Sequence, residues 1–202
     1  MLFILVIFLF LSIIVHEVAH GYTAYKLGDP TPKYSGRLSF NPLAHIDIFG
    51  TVLLPALLII SRLPIFGWAK PVPINPYNFK NPRHDMMWVG LSGPASNLII
   101  AALLSLIIKI IPYSIVSKIF NDVAIINVIL AVINLTPIPP LDGSRVLTGI
   151  LPRDLAYKYM KIEPFGFVIA ILFIVTLGRI IIWPVVGIIA LDILRLSPPY
   201  LL

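Results

Sequence analysis

The chain has 202 residues, 58% of them hydrophobic and 12% charged, with a mean hydropathy of +0.97 and a formal net charge of +6. A chain this apolar cannot cover itself with polar groups, which excludes an ordinary soluble domain and predicts a polytopic membrane protein in contact with the lipid bilayer. The lysines and arginines stand singly at segment ends, with no basic run interleaved with aromatics, which argues against nucleic acid as a partner; the lack of cysteine excludes disulfides, thiolate metal ligands and cysteine nucleophiles.

In chain order, Met1 to Tyr25 meets the length of about twenty apolar residues that crosses a hydrocarbon core at about 1.5 Å per residue. It has no basic region at its start and no small-residue cleavage site, so it is expected to stay in the mature protein. Gly28-Asp29-Pro30-Thr31-Pro32 ends it, and Tyr34 to Phe40 reads as a short interfacial extended or β element before the Asn41-Pro42 turn. Ile48 to Ile60, with Pro55 inside it, is short for a crossing and is expected to form one arm of a re-entrant loop. The prolines of Phe66 to Pro76 forbid regular helix, which places this stretch in a loop at the membrane surface.

Helical, apolar patterning resumes from Asp85 to Ile111 and carries the small-residue patch Gly93-Pro94-Ala95-Ser96-Asn97, which predicts tight helix packing with Asn97 bonding between helices. Another segment runs from near Asp122 to Leu135, breaks at Pro137, Pro139 and Pro140, and resumes from Leu141 to Leu151. Glu163 to Leu194 is expected to be two helices hinged near Gly178-Arg179 and Pro184. The fold class is therefore an all-α membrane bundle of about five to six transmembrane helices or half-helices. It is read as one domain over 1–202, with a core over about 1–151 and C-terminal helices over 163–196. Positive residues gather on one side if 48–60 re-enters, which puts that side in the cytoplasm and Met1 outside. Trp68 and Trp88 read as interface anchors.

Within the first apolar segment stands His16-Glu17-Val18-Ala19-His20. Spacing of four puts both imidazoles on one helical face, where they can share a metal, and leaves Glu17 within reach of a water on that metal. A charged group near a bilayer centre costs about 2.5–3.5 kcal/mol on insertion scales, so such residues seldom occur there without a task. A catalytic zinc takes three protein ligands and keeps one position open. Lys26 occupies the position where an extended protease motif has a third histidine, Glu163 is the only other glutamate, and His45 and His84 fall in surface loops. Among the aspartates, Asp142 alone lies inside a lipid-length segment, at the proline break, and is taken as the third ligand. Asp142 could instead cap the helix after the break, and Asn134 could simply satisfy backbone groups freed by the prolines. His45 reads more simply as a loop hydrogen-bonder than as a site residue. Irregular backbone at membrane depth needs protein or a wet cavity around it, and a hydrolase needs such a cavity.

The pentapeptide, the Gly93–Asn97 patch and the stretch Asn134 to Gly143 together resemble the site-2 protease family of intramembrane zinc metalloproteases. Gly36 to Asp47 and Gly67 to Pro76 resemble its compact prokaryotic branch without a PDZ domain. The matching blocks span most of residues 13–150. The resemblance implies one zinc ion per chain held by His16, His20 and Asp142, with Glu17 as general base and Asn134 contacting the substrate backbone or the developing oxyanion. It implies a membrane-protein substrate whose transmembrane helix unwinds before cleavage, in a prokaryotic plasma membrane. The readings from other classes are a membrane metal transporter or channel, which would string further polar residues along the bundle, and a client-binding scaffold, against which the intact Glu17 argues.

Overall fold

The computed structural model describes residues 1–61 and 69–198; 62–68 and the last four residues lie outside the described residues. Among the described residues there is no strand, and four helical runs are long and apolar enough to cross a bilayer: Phe3–Lys26, Pro82–Ile110, Ile115–Asn134 and Arg153–Thr176. The protein is a polytopic all-helical bundle.

Helix α1 (Leu2–Lys26) has no proline and runs unbroken until Gly28, whose φ of +112° is a left-handed conformation that glycine adopts without strain. Fully buried Asp29 then accepts hydrogen bonds from Thr31 (backbone and hydroxyl), the Asn75 backbone and the Asn78 amide, which ties this corner to the loop before the next long helix. The element expected as extended over Tyr34 to Phe40 starts differently: Tyr34 closes the one-turn helix α2 (Thr31–Tyr34), and the chain turns at Gly36, with φ +67°. Proline at the second position of α2 favours a first helical turn, and among the described residues there is no partner strand to form a ladder.

Ile48–Leu53 is π-helical and continues as α3 (Leu54–Ile60). At about 1.5 Å per residue the run Ile48–Ile60 is about 20 Å long, short of a hydrocarbon core of about 30 Å. From the expected loop Phe66 to Pro76, the first three residues, with the anchor expected at Trp68, lie outside the described residues; Ala69 to Asn75 is irregular and leads into a short 3₁₀ turn, Pro76–Asn78.

Helix α4 (Pro82–Ile110) packs antiparallel to α1, as the pairings His20–Val89 and His16–Asn97 require. Helix α5 (Ile115–Asn134) begins seven residues before the expected Asp122, because Ser114 and Ser117 form a reciprocal capping box that starts the helix despite the charges that follow. The prolines then break the chain before α6 (Asp142–Ile150), and α7 (Arg153–Met160) follows.

The final apolar region does divide in two. Helix α8 (Gly166–Thr176) ends beside Leu177, and α9 (Gly178–Gly187) follows. Pro184 sits within α9 and makes no break; the helix continues in π form over Ile188–Ile193. The core joins α4, α5 and the last helices through Ala101, Ala124, Val128, Ile182, Val186 and Ala190, small or branched residues that let the helices approach closely. Large apolar residues such as Phe3, Leu103, Val175 and Ile180 face outward, the surface a hydrocarbon solvent requires.

Candidate metal centre

His16 and His20 lie one helical turn apart on α1, both buried, and α4 supplies the wall they face. Asp142 comes from the other direction. As the first residue of α6 it is placed where a helix N-terminus favours a carboxylate. The cap position is held by Leu141, and the Asp142 side chain points to the histidines, which answers the alternative reading of Asp142 as a cap. The break at Pro137–Pro140 performs this placement: Gly143 packs so closely on the Leu135 carbonyl that a Cβ there would collide with it, so α6 starts directly beneath the end of α5.

The three side chains converge. Asp142 Oδ2 lies 3.0 Å from His16 Nε2 and 3.2 Å from His20 Nε2, and the two Nε2 atoms are 3.0 Å apart. On its far side, His20 Nδ1 is 2.6 Å from the carbonyl oxygen of Val89, an atom that can only accept, so Nδ1 carries the hydrogen and Nε2 presents a lone pair. His16 Nδ1 is 2.6 Å from Asn97 Oδ1. A carboxylate and imidazole lone pairs aimed at one another repel unless a cation lies among them, and His₂-carboxylate is a familiar zinc set with a fourth position left open. The donor set therefore fits zinc, and among the described residues these are the three that could hold a metal together, with ligand atoms within 4.8 Å of one another.

Gly93 of α4 lies directly over this triangle. A Cβ built there would stand 2.6 Å from His16 Nε2 and still closer to His20 Nε2, so only a residue without a side chain leaves the space. The patch read as helix packing is thus also the roof of the site. Gly93→Ala should raise intrinsic helix propensity by about 1 kcal/mol while weakening zinc binding by at least about tenfold, the low end for disturbing the surroundings of metal ligands. Chelator competition alongside thermal unfolding checks this, and unchanged affinity would refute the roof.

Glu17 is half-buried and stands outside the triangle. Its Oε2 accepts a hydrogen bond of 2.8 Å from the Val72 backbone N–H. That segment is in turn held by buried Arg37, whose Nη2 donates to the Lys70 and Pro71 carbonyls, and by the Lys70 N–H donating to the His45 carbonyl. His45 is fully buried, bonds the Ser39 carbonyl through Nε2, and lies outside the metal group, so its observed part is in holding the loop. Beside Val72 opens a cavity of about 580 Å³, bounded also by Pro139, Pro140, Ser144, Arg145 and Glu163, roomy enough for water and an extended peptide.

Asn134, expected near the reacting carbonyl, ends α5 with its amide donating to the Leu130 carbonyl and takes no part in the triangle. The asparagine that touches a histidine is Asn97. Its depth within an apolar helix was the signal available in the sequence, but which residue it would meet depended on the packing.

Residues 108–177 match the family model described as Peptidase family M50, a stretch that holds Asn134 and Asp142. The chain is 37% identical over 194 residues to YwhC of Bacillus subtilis, designated a zinc metalloprotease by inference, covering 91% of this chain and 85% of that one. It is 30% identical to Rip2 of Mycolicibacterium smegmatis, so designated in the same way, over 82% of this chain and 64% of that one. It is 27% identical to the zinc metalloprotease MJ0392 of Methanocaldococcus jannaschii, over 78% of this chain and 37% of that one. No solved structure matches.

Proposed function

We propose, from the premise that this chain belongs to peptidase family M50, the site-2 proteases, and is a zinc metalloprotease, that it hydrolyses peptide bonds within or near transmembrane segments of other membrane proteins. The observation that carries this reading is the convergence of His16, His20 and Asp142 at the junction of apolar helices, with Glu17 beside them. His16, His20 and Asp142 would hold the zinc. When bound, the metal supplies Lewis acidity, polarising a carbonyl and acidifying water.

The rest of the chemistry falls to the chain's own groups. Glu17 accepts the proton of the attacking water and delivers it to the departing amine, general acid–base work that contributes about 10²- to 10⁴-fold. The Val72 N–H keeps one carboxylate oxygen occupied and so fixes which way Glu17 points. Asn134 would reach the substrate backbone or the oxyanion by turning away from Leu130.

A peptide bond inside a helix is screened by its own turn, so the substrate must unwind locally before it is cut. The irregular segment Ala69 to Asn75, already in contact with Glu17, offers backbone groups to an unwound chain by strand addition, and the neighbouring cavity gives that chain room. Placing helix breakers in a model transmembrane substrate should speed cleavage in liposomes, and replacing them with helix formers should slow it. Rates indifferent to both changes would remove the unwinding step.

The likeness to the compact prokaryotic branch of the family points to a prokaryotic plasma membrane, and positive-inside counting, with the stretch 48–60 dipping in and returning, orients the chain with Met1 outside and the loops 28–45 and 65–84 both cytoplasmic. Protease added to inside-out vesicles should then cut both loops; protection of one alone would mean that 48–60 crosses.

A further inference from the structure

We infer that Asn97 and Asn127 form a hydrogen-bond relay that fixes the tautomer of His16, making them positioning residues for the metal centre. The inference rests on the reading of His16 as a ligand. Both amides are fully buried at the junction of α1, α4 and α5, where an unsatisfied polar group is costly, and their bonds leave one arrangement.

Asn127 Nδ2 donates to the Val123 carbonyl and to the Ser12 hydroxyl, each at 2.9 Å. A backbone carbonyl can only accept, so this end of the Asn127 amide is its NH₂ and the other end its oxygen. That oxygen receives Asn97 Nδ2 at 2.9 Å, and the same nitrogen faces the Ser12 carbonyl at 3.4 Å. The Asn97 oxygen is therefore the end turned to His16 Nδ1, 2.6 Å away. It can accept a hydrogen and cannot give one. His16 is thereby held with its hydrogen on Nδ1 and a lone pair on Nε2, towards Asp142 and His20.

A reversed Asn97 would present its NH₂ to Nδ1 and favour the tautomer with hydrogen on Nε2, which blocks a metal. For His20 the backbone carbonyl of Val89 does the same task unaided. His16 has a side-chain amide there, which could flip; the Asn127 oxygen at 2.9 Å, much nearer than the Ser12 carbonyl at 3.4 Å, is what chiefly locks it.

The test uses the full chain in detergent micelles. Zinc affinity is measured by chelator competition for the wild type, Asn97→Leu, Asn127→Leu and the double variant. Asn97→Leu should weaken binding about 10- to 100-fold, the range for losing the group behind a metal-bound histidine. Asn127→Leu should weaken it in the same direction, and adding it to Asn97→Leu should cost nothing more, because its whole effect passes through Asn97. Losses that multiply would mean two independent packing contacts and would overturn the relay, as would an unaltered affinity in Asn127→Leu.

Nitrogen-15 NMR of the metal-free protein, which has four histidines, gives a readout that needs neither zinc nor activity. His16 should carry a hydrogen on Nδ1 in the wild type, whether or not Nε2 shares a proton with Asp142, and lose that fixed placement in Asn127→Leu; a wild-type His16 with no hydrogen on Nδ1 would end the proposal. Where Asn127→Leu fails to fold, Ser12→Ala removes one hydroxyl from the same link. It should give a smaller loss of zinc affinity that disappears in the Asn97→Leu background, and a loss that persists there would count against the relay. His16→Ala separates the two levels: zinc retained there sinks the ligand reading, whereas zinc lost there with Asn127→Leu unaffected sinks the relay alone.

Discussion

Glu17→Gln should leave zinc bound at one ion per chain while peptide cleavage falls by about 10²- to 10⁴-fold, equivalent to about 3–5 kcal/mol of barrier. The two effects separate because Glu17 lies outside the three-atom triangle. Its visible bond is to the Val72 N–H, and a glutamine oxygen accepts that bond equally well, so orientation is preserved while the base is lost. Measuring zinc by elemental analysis beside cleavage of a model transmembrane substrate checks both halves. Cleavage at the wild-type rate, with contaminating protease excluded, would end the assignment of Glu17 as base; loss of zinc would show that Glu17 helps hold the metal.

Asp142→Ala should have the complementary result, with zinc and cleavage lost together. Without the carboxylate, two neutral imidazoles remain, the charge that offsets the cation is gone, and the triangle loses the member contributed by α6. The helix itself should survive, since Leu141 holds the cap position and the favourable interaction of a carboxylate with a helix N-terminus is worth about 0.3–1 kcal/mol. Stoichiometric zinc in Asp142→Ala would remove it from the ligand set, and unfolding in place of simple metal loss would show that its role is in the fold.

The same contrast between local and long-range information runs through the whole molecule. Runs of apolar residues of lipid length identify a membrane-embedded helical bundle without further help, because hydrocarbon requires both apolar side chains and internally satisfied backbones. The spacing His16-Glu17-x-x-His20 likewise fixes a shared face within one helix, and Asp142 could be reached by elimination because charge at membrane depth is so costly. Element boundaries were less legible where short-range bonds outweighed composition: the capping box at Ser114 starts α5 ahead of two charges, and the one-turn helix α2 takes in Tyr34, the first residue of the stretch expected to be extended.

By itself, then, the sequence determined a polytopic helical chain carrying a His-Glu-x-x-His turn, since those features follow from periodicity and from the cost of polar groups in lipid. The tertiary structure alone decided that Gly93 roofs the histidines, that Val72 holds Glu17, and that Asn97 meets His16. Each of these joins residues far apart in the chain, and which groups meet is set by how α1, α4 and α5 pack and how the proline break aims α6, information that no local pattern of residues contains.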